Sequence, residues 1–270
     1  MDIRNEIPAR DIERFHTRAL EFSESARALI LSLLAAGFEV KRKPDWSFVT
    51  SADLRVEERL RELIGKHFPD HGIIGEEYPP TRPAALFQWI MDPIDGTEDF
   101  VQRMPVFGSI LALHYRGEPV VGVIDHPVLN IRVSAARGLG THRNGERVTL
   151  SDLDSGAIDG TERVMLPARA NFTKHRDDGA LFDAVTRAHP NHRIYRSCFN
   201  HTCAVLGMAD AAIDYGNPIW DVAASRILIE EAGGKFLTVR AWDVPGVGRV
   251  YGSVMGKSAL VDWLATRFNR

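Results

Sequence analysis

FQWIMDPIDGTEDF, residues 87–100, decides how this chain reads. Its first five residues, Phe87 to Met91, form a short apolar run of strand length and composition. The run meets Asp92-Pro93, and the strand is predicted to stop there. A carboxylate at a strand's end points into whatever cleft that end forms. Pro93 stiffens the turn, so Asp92, Asp95 and the Ile94 carbonyl between them can converge on one point. Carboxylate and carbonyl oxygens are the hard ligands that Mg²⁺ accepts. Gly96-Thr97 can open a short helix whose free N–H groups would bind phosphate.

Three more acidic segments border regular elements. Gly75-Glu76-Glu77 follows the apolar pair Ile73-Ile74. Val49-Thr50-Ser51-Ala52-Asp53 precedes a helix predicted over 54–67. Trp220-Asp221 precedes a helix predicted over 222–232. Carboxylates gathered in one cleft repel, and divalent cations remove that cost. Each piece has a plainer reading alone. Asp53 can finish a capping box with Thr50, Asp221 can be a helix N-cap, Glu76-Glu77 a solvated loop pair, Asp95-Gly96 a turn and Trp220 core. Their joint occurrence carries the argument.

Before the decisive stretch, residues 8–37 read as a long amphipathic helix. Ile12, Phe15, Ala19, Phe22, Ala26, Leu29, Ile30 and Leu33 share one face, and Gly37 ends it. Beyond the stretch, strands over 106–115, 119–126 and 131–136 form an antiparallel meander. The second half alternates: strands near 164–166, 193–195, 211–215, 236–239 and 250–254, helices over 179–188, around 203–207, 222–232 and 258–267. The pattern is α/β, an α+β half over residues 1–150 against an α/β half over residues 151–270. The polar stretch 151–160 marks the boundary.

Bulk properties narrow the function. The chain has 270 residues, 44% apolar and 26% charged, with a formal net charge of −3. No broad basic field favours nucleic acid. The longest apolar stretch, Ala28 to Phe38, is short of a membrane span. The first residues lack an apolar signal core, so a cytoplasmic location is expected. Cys198 and Cys203 make no disulfide framework or usual zinc spacing. His189 and His192 flank Pro190, which argues for a loop and against a metal site. Haloacid-dehalogenase-type phosphatases place a nucleophilic Asp two residues before the second Asp; here Pro93 holds that place, so a covalent aspartyl-phosphate route lacks its nucleophile. A P-loop is absent.

These residues resemble the inositol monophosphatase family. The matching stretches are VTSAD (49–53), GEE (75–77), DPIDGT with Phe100, WD (220–221) and EEAGG (230–234). GVIDHPVL (122–129) and ARGLGTHRNGERV (136–148) resemble the family's hairpin region. The resemblance implies a layered α-β-α-β-α sandwich, like that of fructose-1,6-bisphosphatase. It implies a phosphomonoesterase using two or three Mg²⁺ ions, with in-line attack of metal-activated water. Glu76, Asp92 and the Ile94 carbonyl would hold one ion; Asp92, Asp95 and Asp221 a second; Glu76 would touch a weaker third. Thr97 and Glu76 would orient the water, with Asp53 paired to Thr97, and the N–H groups of Gly96 and Thr97 would grip the phosphate. Lithium sensitivity and a homodimer follow from the same resemblance.

Two departures bear on the substrate. Asp99 stands where the family usually has Asn, or Glu in its nucleotide-phosphatase branch. Asp214 stands where the family carries a Glu that binds a substrate hydroxyl. Arg196, Arg169 and His201 can border the leaving group. DWSFVTSADLRVEE (45–58) with GEEY (75–78) resembles the superfamily's histidinol-phosphate phosphatases. An inositol- or sugar-phosphate substrate is expected first, histidinol phosphate next, a 3′-phosphoadenosine nucleotide third. The competing expectation is a non-catalytic member that regulates an RNA or protein partner.

Overall fold

The computed structural model describes residues 6–43, 48–153 and 158–268. The chain begins with α1 (Ala9–Ala36), β1 (Val40–Arg42), β2 (Phe48–Thr50) and α2 (Ser51–His67). There follow β3 (Gly72–Gly75), β4 (Phe87–Asp95), α3 (Thr97–Val101), β5 (Gly108–Tyr115), β6 (Glu118–His126), β7 (Ile131–Ala136), β8 (Gly140–Arg143) and β9 (Glu146–Val148). The remainder comprises β10 (Val164–Leu166), α4 (Arg169–Thr173), α5 (Gly179–Ala188), β11 (Arg193–Ile194), α6 (Cys198–Val205) and β12 (Ala211–Asn217). After these come α7 (Ile219–Val222), α8 (Ser225–Glu231), β13 (Lys235–Val244), β14 (Gly248–Gly256) and α9 (Ser258–Phe268). Asp45 and Trp46, and residues 154–157 of the polar stretch 151–160, lie outside the described residues.

Two large sheets organise the molecule. One is seven-stranded, in the order β3-β4-β5-β6-β7-β8-β9. Only β3 pairs parallel, to β4; from β4 to β9 the sheet is an antiparallel meander. It contains the predicted strands as β5, β6 and β7 and adds β8 and β9, which the sequence reading did not anticipate. The other is five-stranded, in the order β11-β10-β12-β14-β13. There β10 is parallel to both neighbours and β14 antiparallel to both of its own.

Side-chain alternation shows why these sheets stack. In β4, Trp89 and Met91 join the core under α1 and α2, while Ile90 joins a second core with α6 and α8. In β5, Leu111 and Leu113 take the first side and Ile110 and Ala112 the second. In the five-stranded sheet, Met165 and Ala212 face the second core, while Val164, Leu166, Ala211 and Ile213 face a third with α4, α5 and α9. Successive side chains point to opposite faces, so each sheet is apolar on both and needs cover on both. The result is a helix–sheet–helix–sheet–helix sandwich, the layered α/β architecture that the resemblance implied.

The structure revises some predicted elements. β4 does not stop at Met91 but runs to Asp95. Its register against β5 slips between Asp92 and Asp95: Asp92 faces Ile110, and Asp95 faces Gly108. Pro93 and Ile94 therefore oppose the single residue Ser109. Such a bulge accommodates a proline inside a strand. The helix predicted over 222–232 is two pieces, α7 and α8, so Asp221 lies within α7 and is no N-cap. The helix predicted around 203–207 starts earlier, at Cys198.

Candidate active site

The bulge in β4 builds the centre of the site. In a regular strand, residues three apart point to opposite faces. The extra residue resets that parity, so Asp92 and Asp95 can serve one side. Asp221 reaches them from α7. Among the described residues, these three form the one group of acidic, His or Cys side chains whose ligand atoms all lie within 4.8 Å of one another. Asp92 is buried, and the other two are partly so.

The electrostatics are severe. Burial, then the charges of Glu76, Asp95 and Asp221, holds the Asp92 carboxyl well above its ordinary pKa. Burial, then Asp95 and Glu76, does the same to Asp221. Burial also raises Asp95, although its Oδ2 accepts from the Cys198 N–H, which opposes the rise. No Lys or Arg side chain bonds to any of the three among the described residues. Three carboxylates in this state need a counter-charge to ionise together. Their hard oxygens fit Mg²⁺.

Asp53 approaches from the N-terminus of α2. Thr50 and Asp53 do form a capping box, with Asp53 Oδ2 accepting from the Thr50 N–H at 2.7 Å and hydroxyl at 2.6 Å. The other oxygen, Oδ1, faces Thr97 Oγ1 at 3.4 Å. The plain structural reading of Asp53 and its pairing with Thr97 therefore hold together. Burial pushes Asp53 up to about 6 against the Thr50 hydrogen bonds. Thr97 Oγ1 also donates to the Ile94 carbonyl at 3.1 Å. Gly96 caps α3 with φ at +81°, a left-handed conformation that favours glycine. The N–H groups in the first turn of α3 have no intrahelical acceptor and can meet an anion.

Glu76 stands at the flank. Its charge reaches Asp92, Asp53 and Asp221. Its Oε1 accepts from Lys43 Nζ at 2.7 Å, and Lys43 bonds Glu77 at the same distance. Burial works against the Lys43 ammonium, yet the two glutamates raise its pKa. Burial and Glu76 push Glu77 up to about 7. The loop is held from below by Glu57, fully buried on α2, which accepts from Arg61 Nε and from the N–H groups of Glu77 and Tyr78.

The residues expected near the leaving group divide. Arg196 is exposed, and its charge is felt by Asp99 and Asp221. Arg169 is bonded to Asp183. Asp214 is only 5% exposed. Its Oδ2 meets His201 Nε2 at 3.1 Å, and its Oδ1 accepts from Asn217 Nδ2 and the Tyr215 N–H. His201 Nδ1 in turn meets Ser225 Oγ at 2.8 Å. Asp214 is thus engaged within the protein by His201, Asn217 and the Tyr215 N–H.

Sequence reasoning missed Glu57, Lys43 and the Cys198 N–H. Glu57 had one visible sign, its position four residues before Arg61 on a helix. The other two meet the acidic groups only through tertiary packing. Cys198 and Cys203 are free and buried in α6.

The profile of the inositol monophosphatase family matches residues 13–266. A histidinol-phosphatase of Chlorobaculum parvum is 34% identical over 80% of this chain and 82% of its own. One from Mycobacterium tuberculosis is 32% identical over 87% and 90%. The structure of an inositol monophosphatase from Anabaena (Nostoc) sp. PCC 7120 superposes with a TM-score of 0.79 at 26% identity, covering 96% of both chains.

Proposed function

The chain belongs to the inositol monophosphatase family, and from that premise we propose that it is a Mg²⁺-dependent phosphomonoesterase acting on a small hydroxylated or amino-alcohol phosphate. The observation that carries this reading is the gathering of Asp92, Asp95 and Asp221 within 4.8 Å, with no Lys or Arg side chain bonded to any of the three among the described residues. Those three, with Glu76 and the Ile94 carbonyl, would hold the ions. When bound, Mg²⁺ supplies Lewis-acid activation of water and neutralises charge at the leaving oxygen.

The chain's own groups complete the chemistry. Thr97 Oγ1, poised between Asp53 Oδ1 and the Ile94 carbonyl, orients the attacking water with Glu76. The Gly96 and Thr97 N–H groups hold the phosphate where negative charge builds up. Arg196 borders the leaving group.

Among substrates, an inositol or sugar phosphate is the general reading for the family. Histidinol phosphate is the second, and specific observations favour it: two relatives bear the name histidinol-phosphatase, and Asp214 is already engaged with His201 and Asn217. Asp99 adds a carboxylate beside Gly96, its Oδ2 3.2 Å from where a Cβ there would stand, and its charge offsets that of Arg196.

The test is phosphate release with Mg²⁺ from inositol-1-phosphate, histidinol phosphate, fructose-1,6-bisphosphate and adenosine 3′,5′-bisphosphate. Turnover is expected on one of the first two, abolished by EDTA and restored by Mg²⁺. Asp95→Asn and Asp221→Asn should each lower kcat/KM at least about a hundredfold. Folded protein that releases no phosphate from any of the four refutes the proposal.

A further inference from the structure

The loop that carries Glu76 rests on two side chains from outside the group of three aspartates. Asp53, Glu57 and Arg61 follow one another at four-residue intervals along α2 and so share one face of it. Asp53 meets Thr97 from that face. Glu57 and Arg61 meet the loop that follows β3.

Glu57 is fully buried. Its Oε2 accepts from the Glu77 N–H at 2.9 Å, and its Oε1 from the Tyr78 N–H at 3.2 Å and from Arg61 Nε at 2.8 Å. Arg61 turns the rest of its fork to the same loop. Its Nη2 donates to the Tyr78 carbonyl at 3.0 Å, and its Nη1 to Thr81 Oγ1 at 3.1 Å. At the neck, Ile73 and Thr81 exchange backbone hydrogen bonds of 2.8 and 2.9 Å. One carboxylate and one guanidinium thus grip the backbone of the loop from within α2.

Burying an ion pair costs free energy, and apolar side chains of like size often serve stability as well. Packing alone therefore does not account for Glu57. Its bonds have a more specific result. β3 runs parallel to β4 with Gly75 beside Met91, so the next residue, Glu76, leaves the sheet where Asp92 stands. The sheet holds Gly75 before it, and Glu57 holds the Glu77 N–H after it. With both neighbours fixed, the Glu76 side chain sets out from one place. Its charge reaches Asp92 from there.

We infer that Glu57, braced by Arg61, is a positioning residue for Glu76: it sets where that carboxylate meets the acidic cluster, and so how tightly the ion shared by Glu76 and Asp92 is bound. The inference rests on the proposed role of Glu76 as a metal ligand.

The test titrates the full chain with Mn²⁺, following the free ion by electron paramagnetic resonance. Four forms are compared: wild type, Glu57→Gln, Glu76→Gln and the double variant. Gln keeps the size of Glu57 but has one acceptor oxygen in place of two, so a loop N–H loses its partner. Glu57→Gln should weaken Mn²⁺ binding about tenfold to a hundredfold when Glu76 is present. In the Glu76→Gln background it should weaken binding far less, because residues that act as one unit are not additive. Should Glu57→Gln not fold, Arg61→Lys keeps a charge beside Glu57 but lacks the fork that reaches Tyr78 and Thr81, and the same cycle is run with it. A positioning variant that binds Mn²⁺ as the wild type does, or that loses as much without Glu76 as with it, overturns the role. A wild-type chain whose Mn²⁺ affinity is indifferent to Glu76→Gln overturns instead the proposed metal role of Glu76, and this inference with it.

Discussion

His71 shows how packing can fix a protonation state. Its ring stacks on Phe68 and Phe87, and its Nδ1 accepts from Trp89 Nε1 at 3.1 Å. Burial, helped by the charge of Arg14, pushes its pKa down to about 4 from 6.5. The folded value lies below the unfolded one. Between those limits the unfolded chain binds more protons, so stability must fall as pH drops from 6.5 to 4. Urea denaturation across that window should show a loss on the order of 1–2 kcal/mol, allowing for solvent screening of a half-exposed ring. His71→Gln keeps an acceptor for Trp89 and should flatten that part of the profile. At this scale the acidic residues were legible, because a carboxylate at the border of an element is visible in sequence. Lys43 and Cys198 were not. Their acidic partners lie 33 and 103 positions away, and nothing local announces the contact.

Among elements, the N-terminus of α2 is the most exacting. Thr50 accepts from Ala52 and Asp53 while donating to the Asp53 carboxylate. Thr50→Ala should cost about 1–2 kcal/mol in denaturant unfolding. It also frees Asp53 from one side, so phosphate release should drop in parallel. Strand β3 is pinned just as closely. A Cβ on Gly75 would stand 2.1 Å from Glu57 Oε1. Glu57 cannot swing aside without giving up Arg61 and the Glu77 and Tyr78 N–H groups. Gly75→Ala should therefore destabilise by about 1–3 kcal/mol and displace Glu76, read as lost stability together with lost turnover. The helical face of α1 was legible nearly residue for residue, since a period of 3.6 over many residues is a strong signal. The end of β4 was not. Proline usually argues against a strand interior, and the bulge that admits Pro93 depends on pairing with β5.

Over the whole molecule, the order of layers could not be read from periodicity. Strands buried on both faces are apolar throughout, so the sequence does not say which side meets which helix. The layering was expected only through the family resemblance. The structure shows what keeps the layers close: Ala112, Gly122 and Ala135 stand in register across β5, β6 and β7. A Cβ on Gly122 would meet Ile227 at 2.7 Å and the Ala224 carbonyl at 2.8 Å. This row of small residues lets α8 settle against the sheet. Gly122→Val should wedge the two apart, cost about 1–3 kcal/mol and lower Tm by several degrees in a thermal melt.

The bond from the Cys198 N–H to Asp95 joins residues 103 positions apart, and Asp221 comes later still. A ribosome therefore exposes Asp92 and Asp95 well before the groups that steady and complete them have been translated. The nascent chain carries a pair of carboxylates with no third member to close the ring. The group of three carboxylates is complete only once α7 has emerged, so, on the proposed function, an elongation product halted before α7 should release no phosphate however well its first sheet has folded.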